Sequence, residues 1–170
     1  MKKFNTKAMV TLAVLTALSI VLDRLLSVSI GTSIRIHLGI VPVMLAGIWF
    51  GPVAGGVVGG LADFLGATVL SGLGFFPLLM ISPILKGVIP GLMRKIALGG
   101  KLLQVALVVF VTTLVAAMCI TPLVLSYLYG NPFWTVFVSR LPFVLLQMVL
   151  EIAVTYLMLR WQRVSRLNLA

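Results

Sequence analysis

Charge is what this sequence has least of. Its 170 residues include 13 Lys or Arg and only 3 Asp or Glu, so 9% are charged. Soluble domains carry about a quarter charged residues, so this chain cannot build a water-facing surface of the ordinary kind. Cysteine is nearly absent too. A single Cys119, inside an apolar run, excludes a disulfide framework or a cysteine zinc cluster and reads as a small packing residue. The one histidine, His37, has no second His or Cys near it and reads as a solvated interface residue, so no metal is expected. No Gly-x-x-x-x-Gly-Lys-Ser/Thr loop occurs, which removes the usual phosphate cradle for ATP hydrolysis. The chain also lacks His-Glu-x-x-His, and neither Asp23 nor Asp63 has a Gly-x-Gly-Asp setting. Neither an enzyme nor a cofactor is expected.

What is abundant is apolar sequence. Hydrophobic residues make up 61% of the chain and the mean hydropathy is +1.23. Residues 38–62 and 102–139 carry no charge at all. A helix crosses the hydrocarbon core with about 20 apolar residues. The sequence predicts one all-α membrane domain over 1–170 with six spans, at 7–27, 36–50, 52–70, 76–94, 101–128 and 134–160. The breaks fall at Ser29-Ile30-Gly31-Thr32-Ser33, Gly51-Pro52, Ser71-Gly72-Leu73-Gly74, Gly99-Gly100-Lys101 and Tyr129-Gly130-Asn131-Pro132. Met1-Lys2-Lys3 before an apolar run imitates a secretory signal. Asp23-Arg24, and not a small-residue cleavage site, closes that run, so it is read as the first span.

The pI near 10.8 does not imply nucleic acid, because the basic residues sit at span ends and form no stripe. Lys2, Lys3, Lys7, Arg94, Lys95, Lys101, Arg160, Arg163 and Arg166 all fall on one side of a six-span arrangement. That side is expected to be the cytoplasm of a bacterial cell membrane, with both termini inside. The halves show no sequence repeat of the kind that inverted-repeat transporters carry.

Four cations remain, Arg24, Arg35, Lys86 and Arg140, beside the acids Asp23, Asp63 and Glu151. Each costs a few kcal/mol at bilayer depth and needs a partner or a wet cavity. Gly51, Gly55, Gly59 and Asp63 follow one another at helical spacing. Glycines there let a neighbouring helix approach, so Asp63 should face protein. Thr16, Ser19, Asp23 and Ser27 form a polar stripe on the first span, and Arg140, Gln147 and Glu151 another on the sixth. Rise per residue puts Asp63 about 18 Å above the inner end of its helix and Lys86 and Glu151 about 12–14 Å above the inner surface. Asp23, Arg24, Arg35, His37, Asp63 and Arg140 then share the outer half and suit one pocket open to the outside. Arginines there fit a ligand bearing carboxylates, and Asp63 fits a ring with amino and N–H donors. The blander alternatives are that Asp23, Arg24 and Arg35 reach to interfacial water and that Arg140 neutralises Asp63. Lys86 and Glu151 read as a structural ion pair between the fourth and sixth spans. Trp49, Phe75, Phe76, Phe133 and Trp134 lie at span ends and suit the aromatic belt. Of the outer-side aromatics, Phe76 is the candidate to stack on a planar ring.

Ala13-x-x-x-Ala17 resembles the alanine motif of the substrate-specificity (S) components of energy-coupling factor transporters. The stretch Val21–Val28 with Ile34-Arg35-Ile36 is similar to the folate-type members, as are Val41–Pro52 and Leu61-Ala62-Asp63-Phe64-Leu65-Gly66. Phe76-Pro77, Ser82, Leu85–Leu92, and Arg140-Leu141-Pro142 with Glu151 extend the resemblance along most of the chain. Lys86 stands where a small polar residue is more usual, and Leu78 where a glycine is. The resemblance implies a six-helix S component that binds a vitamin, folate first among the candidates, beneath the loop after the first helix. It further implies docking through Ala13 and Ala17 on a transmembrane coupling protein that works with two ATP-binding-cassette ATPases. In that setting Asp63 reads the ring, Arg24, Arg35 and Arg140 hold carboxylates or ring acceptors, and Gln147 and Phe76 complete the site. Other vitamins or precursors (pantothenate, a pyrimidine), a proton-coupled transporter using Asp63 or Glu151, and a non-transporting scaffold are the competing readings.

Overall fold

The structure, a computed structural model, describes residues 6–24, 27–30, 34–70, 77–130 and 132–164. Helices occur in all six regions where hydropathy places them. Helix α1 covers Thr6–Arg24, α2 Ile40–Phe50 and α3 Pro52–Leu65, the last running on as a wider π-helical turn over Gly66–Leu70. Helix α4 covers Ile81–Leu92 and the short α5 Arg94–Ala97. Helix α6 covers Leu102–Thr112 and passes through a π-helical stretch, Thr113–Ile120, into α7 at Thr121–Tyr129. Helix α8, Phe133–Val164, closes the bundle.

Among the described residues, the one addition to an all-helical architecture is a two-stranded ribbon. Strand β1 (Val28–Ile30) pairs antiparallel with β2 (Ile34–Ile36), with Val28 opposite Ile36 and Ser29 opposite Arg35. β-branched residues alternate along both strands, a pattern that favours extended backbone. The second helix therefore starts at Ile40 and not at 36 as its hydropathy suggests.

Three helices are long and apolar enough to cross a membrane, over Thr6–Arg24, Leu102–Leu128 and Phe133–Gln162. Their outer faces carry large apolar side chains such as Leu103, Val138 and Val149, all exposed. Lipid, not water, suits such a surface. The shorter α2 is the buried centre, with every residue from Ile40 to Ile48 out of solvent. Met44 and Ile48 pack there with Val105, Val108, Val109 and Leu159, while Val43 and Ala46 face Leu15 and Val58.

Glycine sets how closely the central helices meet. A Cβ on Gly87 would strike the Gly55 carbonyl, and one on Gly59 would strike the Pro83 carbonyl. The expectation that the α3 glycines admit a neighbour is met by α4. Between α2 and α3 the chain turns at Gly51, whose φ of +102° suits a residue without a Cβ, and Pro52 opens the next helix.

In the π-helical stretch each N–H reaches one residue further back than in an α-helix. The Thr121 N–H bonds the Ala116 carbonyl, and Pro122 has no N–H to restore the tighter pattern. Cys119 lies on this stretch and is exposed on the outside of the bundle, which corrects its reading as a buried packing residue.

Candidate ligand-binding site

The outer end of α1 is fastened to the start of α2. Ser19 Oγ donates to the Gly39 carbonyl at 2.6 Å, and a Cβ on Gly39 would stand 2.7 Å from that of Asp23. This close approach brings His37 onto α1, where Nδ1 lies 3.0 Å from Asp23 Oδ1. The other Asp23 oxygen lies 3.1 Å from Arg24 Nε. Arg24 turns toward α3, with a guanidinium nitrogen 3.8 Å from Asp63 Oδ1. It fits because residue 66 is glycine; a Cβ there would stand 2.9 Å from Nε. Arg24 is thus a bridge between two carboxylates on different helices.

These groups form one wall of a cavity of about 310 Å³, a size in the small-molecule range. Ser82, Pro83 and Lys86 of α4, Thr121 and Leu125 of α7, and Arg140 of α8 line the rest. Ser82 Oγ and Thr121 Oγ1, 3.0 Å apart, both donate to the Ala116 carbonyl, at 3.0 and 2.9 Å. The π-helical widening thereby supplies the carbonyl that anchors this corner.

Among the described residues, five charged ones line the cavity: Asp23, Arg24, Asp63, Lys86 and Arg140. Three cations against two carboxylates leave an excess of one positive charge with His37 neutral. The ion pairs within 4.0 Å among the described residues all use Asp23 or Asp63, so Lys86 and Arg140 have no carboxylate at that distance. Such a cavity offers fixed acceptors on the α1 and α3 side and strong donors on α4 and α8. It can hold a polar ring together with an anionic group.

Arg24, Asp63 and Arg140 are brought together as the sequence suggests. Gln147 is not among the lining residues. Its Nε2 donates to Glu151 Oε1 at 2.9 Å and to the His37 carbonyl at 3.3 Å, so it ties α8 to the chain entering α2. The expected Lys86–Glu151 ion pair is not closed either: Lys86 faces the cavity, while Glu151, almost wholly buried, is held by Gln147. Arg35 lies in β2, with its backbone described and its side chain not. Phe76 and Phe75 lie outside the described residues. Ala13 and Ala17 occupy the exposed side of α1, opposite the buried Leu15, Thr16 and Ser19. Asp23 and His37, which depth also put in the outer pocket, line it too; the polar lining residues that sequence reasoning left out of the site are Ser19, Ser82, Lys86 and Thr121. Ser19 belongs to the polar stripe of the first span, which was the available signal. Nothing local marks Ser82 or Thr121.

A helical membrane bundle enclosing a small, charge-lined cavity defines a membrane protein that binds a small polar molecule. Comparison with known proteins gives its family. Residues 3–163 match the family described as the ECF-type riboflavin transporter, S component. The folate transporter FolT of Clostridium novyi (strain NT) is 30% identical over 172 residues, covering 99% of this chain and 95% of that protein. The chain belongs to the S components of ECF-type transporters, which are substrate-binding membrane subunits and not enzymes. A crystal structure of FolT bound with folic acid superposes with a TM-score of 0.79 at 26% identity, over 91% of this chain and 93% of that one. The S component for biotin of an ECF-type ABC transporter superposes at 0.74 with 23% identity, over 96% and 94%, a likeness of fold alone.

Proposed function

We propose that this chain captures folate on the outer face of the membrane and hands it to an ATP-driven coupling module. The observation that carries the reading is the Arg24-bridged pair Asp23 and Asp63 facing a cavity whose other cations are uncommitted. A pterin ring presents an amino group and a ring N–H side by side, and a fixed carboxylate such as Asp63 accepts both. Charge-assisted hydrogen bonds of this kind contribute about 1.5–3 kcal/mol each. Arg140, a lining cation with no carboxylate within 4.0 Å among the described residues, suits the carboxylates of the glutamate tail. Arg24 bonds ring acceptors while it holds Asp63 in place. Arg35 and Phe76 are assigned from sequence to a tail carboxylate and to the ring face. The full-length likeness to a folate transporter supports the same choice.

The exposed small face around Ala13 and Ala17 is the surface we assign to the transmembrane coupling protein, since small side chains let helices pack closely without a water-driven force. Two ATPases bound to that protein supply the energy. The clustered lysines and arginines at the span ends put both termini in the cytoplasm.

The test is ligand binding to the purified protein, read by thermal stabilisation across a panel of vitamins. Saturable stabilisation by folic acid or reduced folates is expected; its absence overturns the folate assignment. Riboflavin is the second reading, because the matching family carries that vitamin in its description. Stabilisation by riboflavin with none by folates would establish it in place of folate.

A further inference from the structure

With its expected ion pair not closed, Lys86 is, among the described residues, the cavity cation left without a role. It is buried, it stands in the middle of α4, and it lines the cavity one turn beyond Ser82. The lining residue farthest from the ribbon is Ser19 on α1, Val43 on α2, Gly59 on α3, Thr121 on α7 and Lys86 on α4. These five form the floor. Ser19 commits its hydroxyl to the Gly39 carbonyl and Thr121 its hydroxyl to the Ala116 carbonyl, and Val43 and Gly59 have no polar side-chain atom. Among the described residues, then, Lys86 is the floor group with protons to donate into the cavity. Glu151 is the acid whose charge reaches it, but no Glu151 oxygen lies within 4.0 Å, and Oε1 is taken by Gln147. A buried ammonium without a closed ion pair is costly in an apolar bundle. Its cost is offset only where water or a ligand oxygen meets it.

We propose that Lys86 is a ligand-binding residue, donating to an oxygen on the end of the ligand that enters first and selecting for ligands that carry one there. The assignment of that oxygen to the C4 carbonyl of a pterin rests on the folate reading. Asp63 accepts from the amino and N–H edge, and Lys86 supplies what Asp63 lacks, a donor for the ring oxygen. Folic acid and aminopterin, titrated into wild type and Lys86 variants, separate the two contributions. They differ at C4, where folic acid has the carbonyl and aminopterin an amino group, and at N3, where folic acid has an N–H and aminopterin a bare ring nitrogen. Asp63 alone favours folic acid, because only its ring sets an N–H beside the 2-amino group. Lys86 widens that preference, because an ammonium facing an amino group sets donor against donor.

The experiment titrates folic acid and aminopterin into purified wild type, Lys86→Met and Lys86→Gln, and records the melting temperature of each ligand-free protein. Wild type is expected to prefer folic acid by about tenfold or more. The variants should lose about tenfold to a hundredfold in folic acid affinity and far less for aminopterin, so the ratio narrows. Ligand-free, they should melt at or above wild type, since an uncompensated buried charge is gone. Unchanged folic acid affinity overturns the assignment and leaves the folate reading intact. So does failure of both variants to fold, because that is the result of a structural partnership with Glu151. If another vitamin binds wild type and neither pterin does, the folate reading falls and the same variants are titrated with that vitamin. A loss of about tenfold then supports Lys86 as a ligand contact, and no loss overturns it. Absence of any saturable ligand overturns both.

Discussion

Gln147 stands one turn before Glu151 on α8 and donates to its Oε1 at 2.9 Å, reaching the His37 carbonyl with the same nitrogen. Glu151 is 1% exposed, so this amide is the neutral partner that makes a buried acid tolerable. Replacing Gln147 with Met strips that partner and frees the chain entering α2. Folding stability should fall by about 1–3 kcal/mol, as for a buried polar group left unsatisfied. Melting curves of ligand-free protein check this, with folate affinity changing by less than in Asp63 variants. A large loss of affinity at unchanged melting temperature would return Gln147 to the binding site.

The contact of α3 with α4 depends on two residues lacking a Cβ. Gly87→Ala and Gly55→Ala each drive a methyl into an opposing backbone carbonyl, a group with nowhere to move. Each should cost about 1–3 kcal/mol, as overpacking does, and the bundle should lose ligand binding as well, because Lys86 and Asp63 ride on these helices. Gly130→Ala is the control. A Cβ there meets no atom within 4 Å, and only its φ of +67° is unfavourable, a cost of about 1 kcal/mol. Thermal denaturation of the three variants should rank Gly130→Ala as the mildest.

Asp63 is held by Arg24, and Arg24 keeps Asp23 when Asp63 is neutralised. Asp63→Asn should therefore fold normally and lose about tenfold to a hundredfold in folate affinity, the worth of one charge-assisted interaction. Arg24→Met should be worse on both counts, since it leaves two carboxylates facing one cavity without their bridge. Isothermal titration with a parallel melting curve tests both variants. Equal affinities in Asp63→Asn and wild type would remove Asp63 from the site.

The Ala116 carbonyl receives two hydroxyl donors, Ser82 Oγ at 3.0 Å and Thr121 Oγ1 at 2.9 Å. Either Ser82→Ala or Thr121→Val leaves the other donor in place and should cost about 0.5–1.5 kcal/mol. Removing both should cost more than the two single effects added together, as expected for groups sharing one acceptor. A double-mutant cycle read by thermal unfolding decides the matter; simple additivity would show that the two donors act independently.

The helices were legible because their signals are local. An uncharged run of twenty residues has few alternatives, and Gly51-Pro52 announces a break whose positive φ the structure displays. The approach of α3 to α4 was legible in the four-residue spacing of Gly51, Gly55 and Gly59, and so was the direction of Asp63. The grouping of Arg24, Asp63 and Arg140 followed from depth alone. What failed depends on rotation and reach between helices. Spacing puts Gln147 and Glu151 on one face of α8, yet it does not say that Gln147 would satisfy the acid and leave Lys86 to the cavity. The ribbon from Val28 to Ile36 is too short for its alternation to stand out beside a helical hydropathy pattern. Asp23 and His37 meet only because that ribbon folds back, so their pairing has no local trace. Cys119 looked buried because it lies inside an apolar run, and in a membrane bundle an apolar run does not say which side faces the core.

That stretch acts as a phase joint. One surplus residue between Thr113 and Ile120 offsets the inward face of the upper rod from that of the lower, so Val105, Val109 and Thr112 are buried below while Val124 is buried and Thr121 faces the cavity further along. Deleting any single residue there would let the α-helical pitch run straight through. The upper rod would rotate by about 100 degrees, the angle of one residue, swinging Thr121 off Ser82 and Tyr127 from lipid toward the bundle. Length, at this point in the chain, matters more than which side chains fill it.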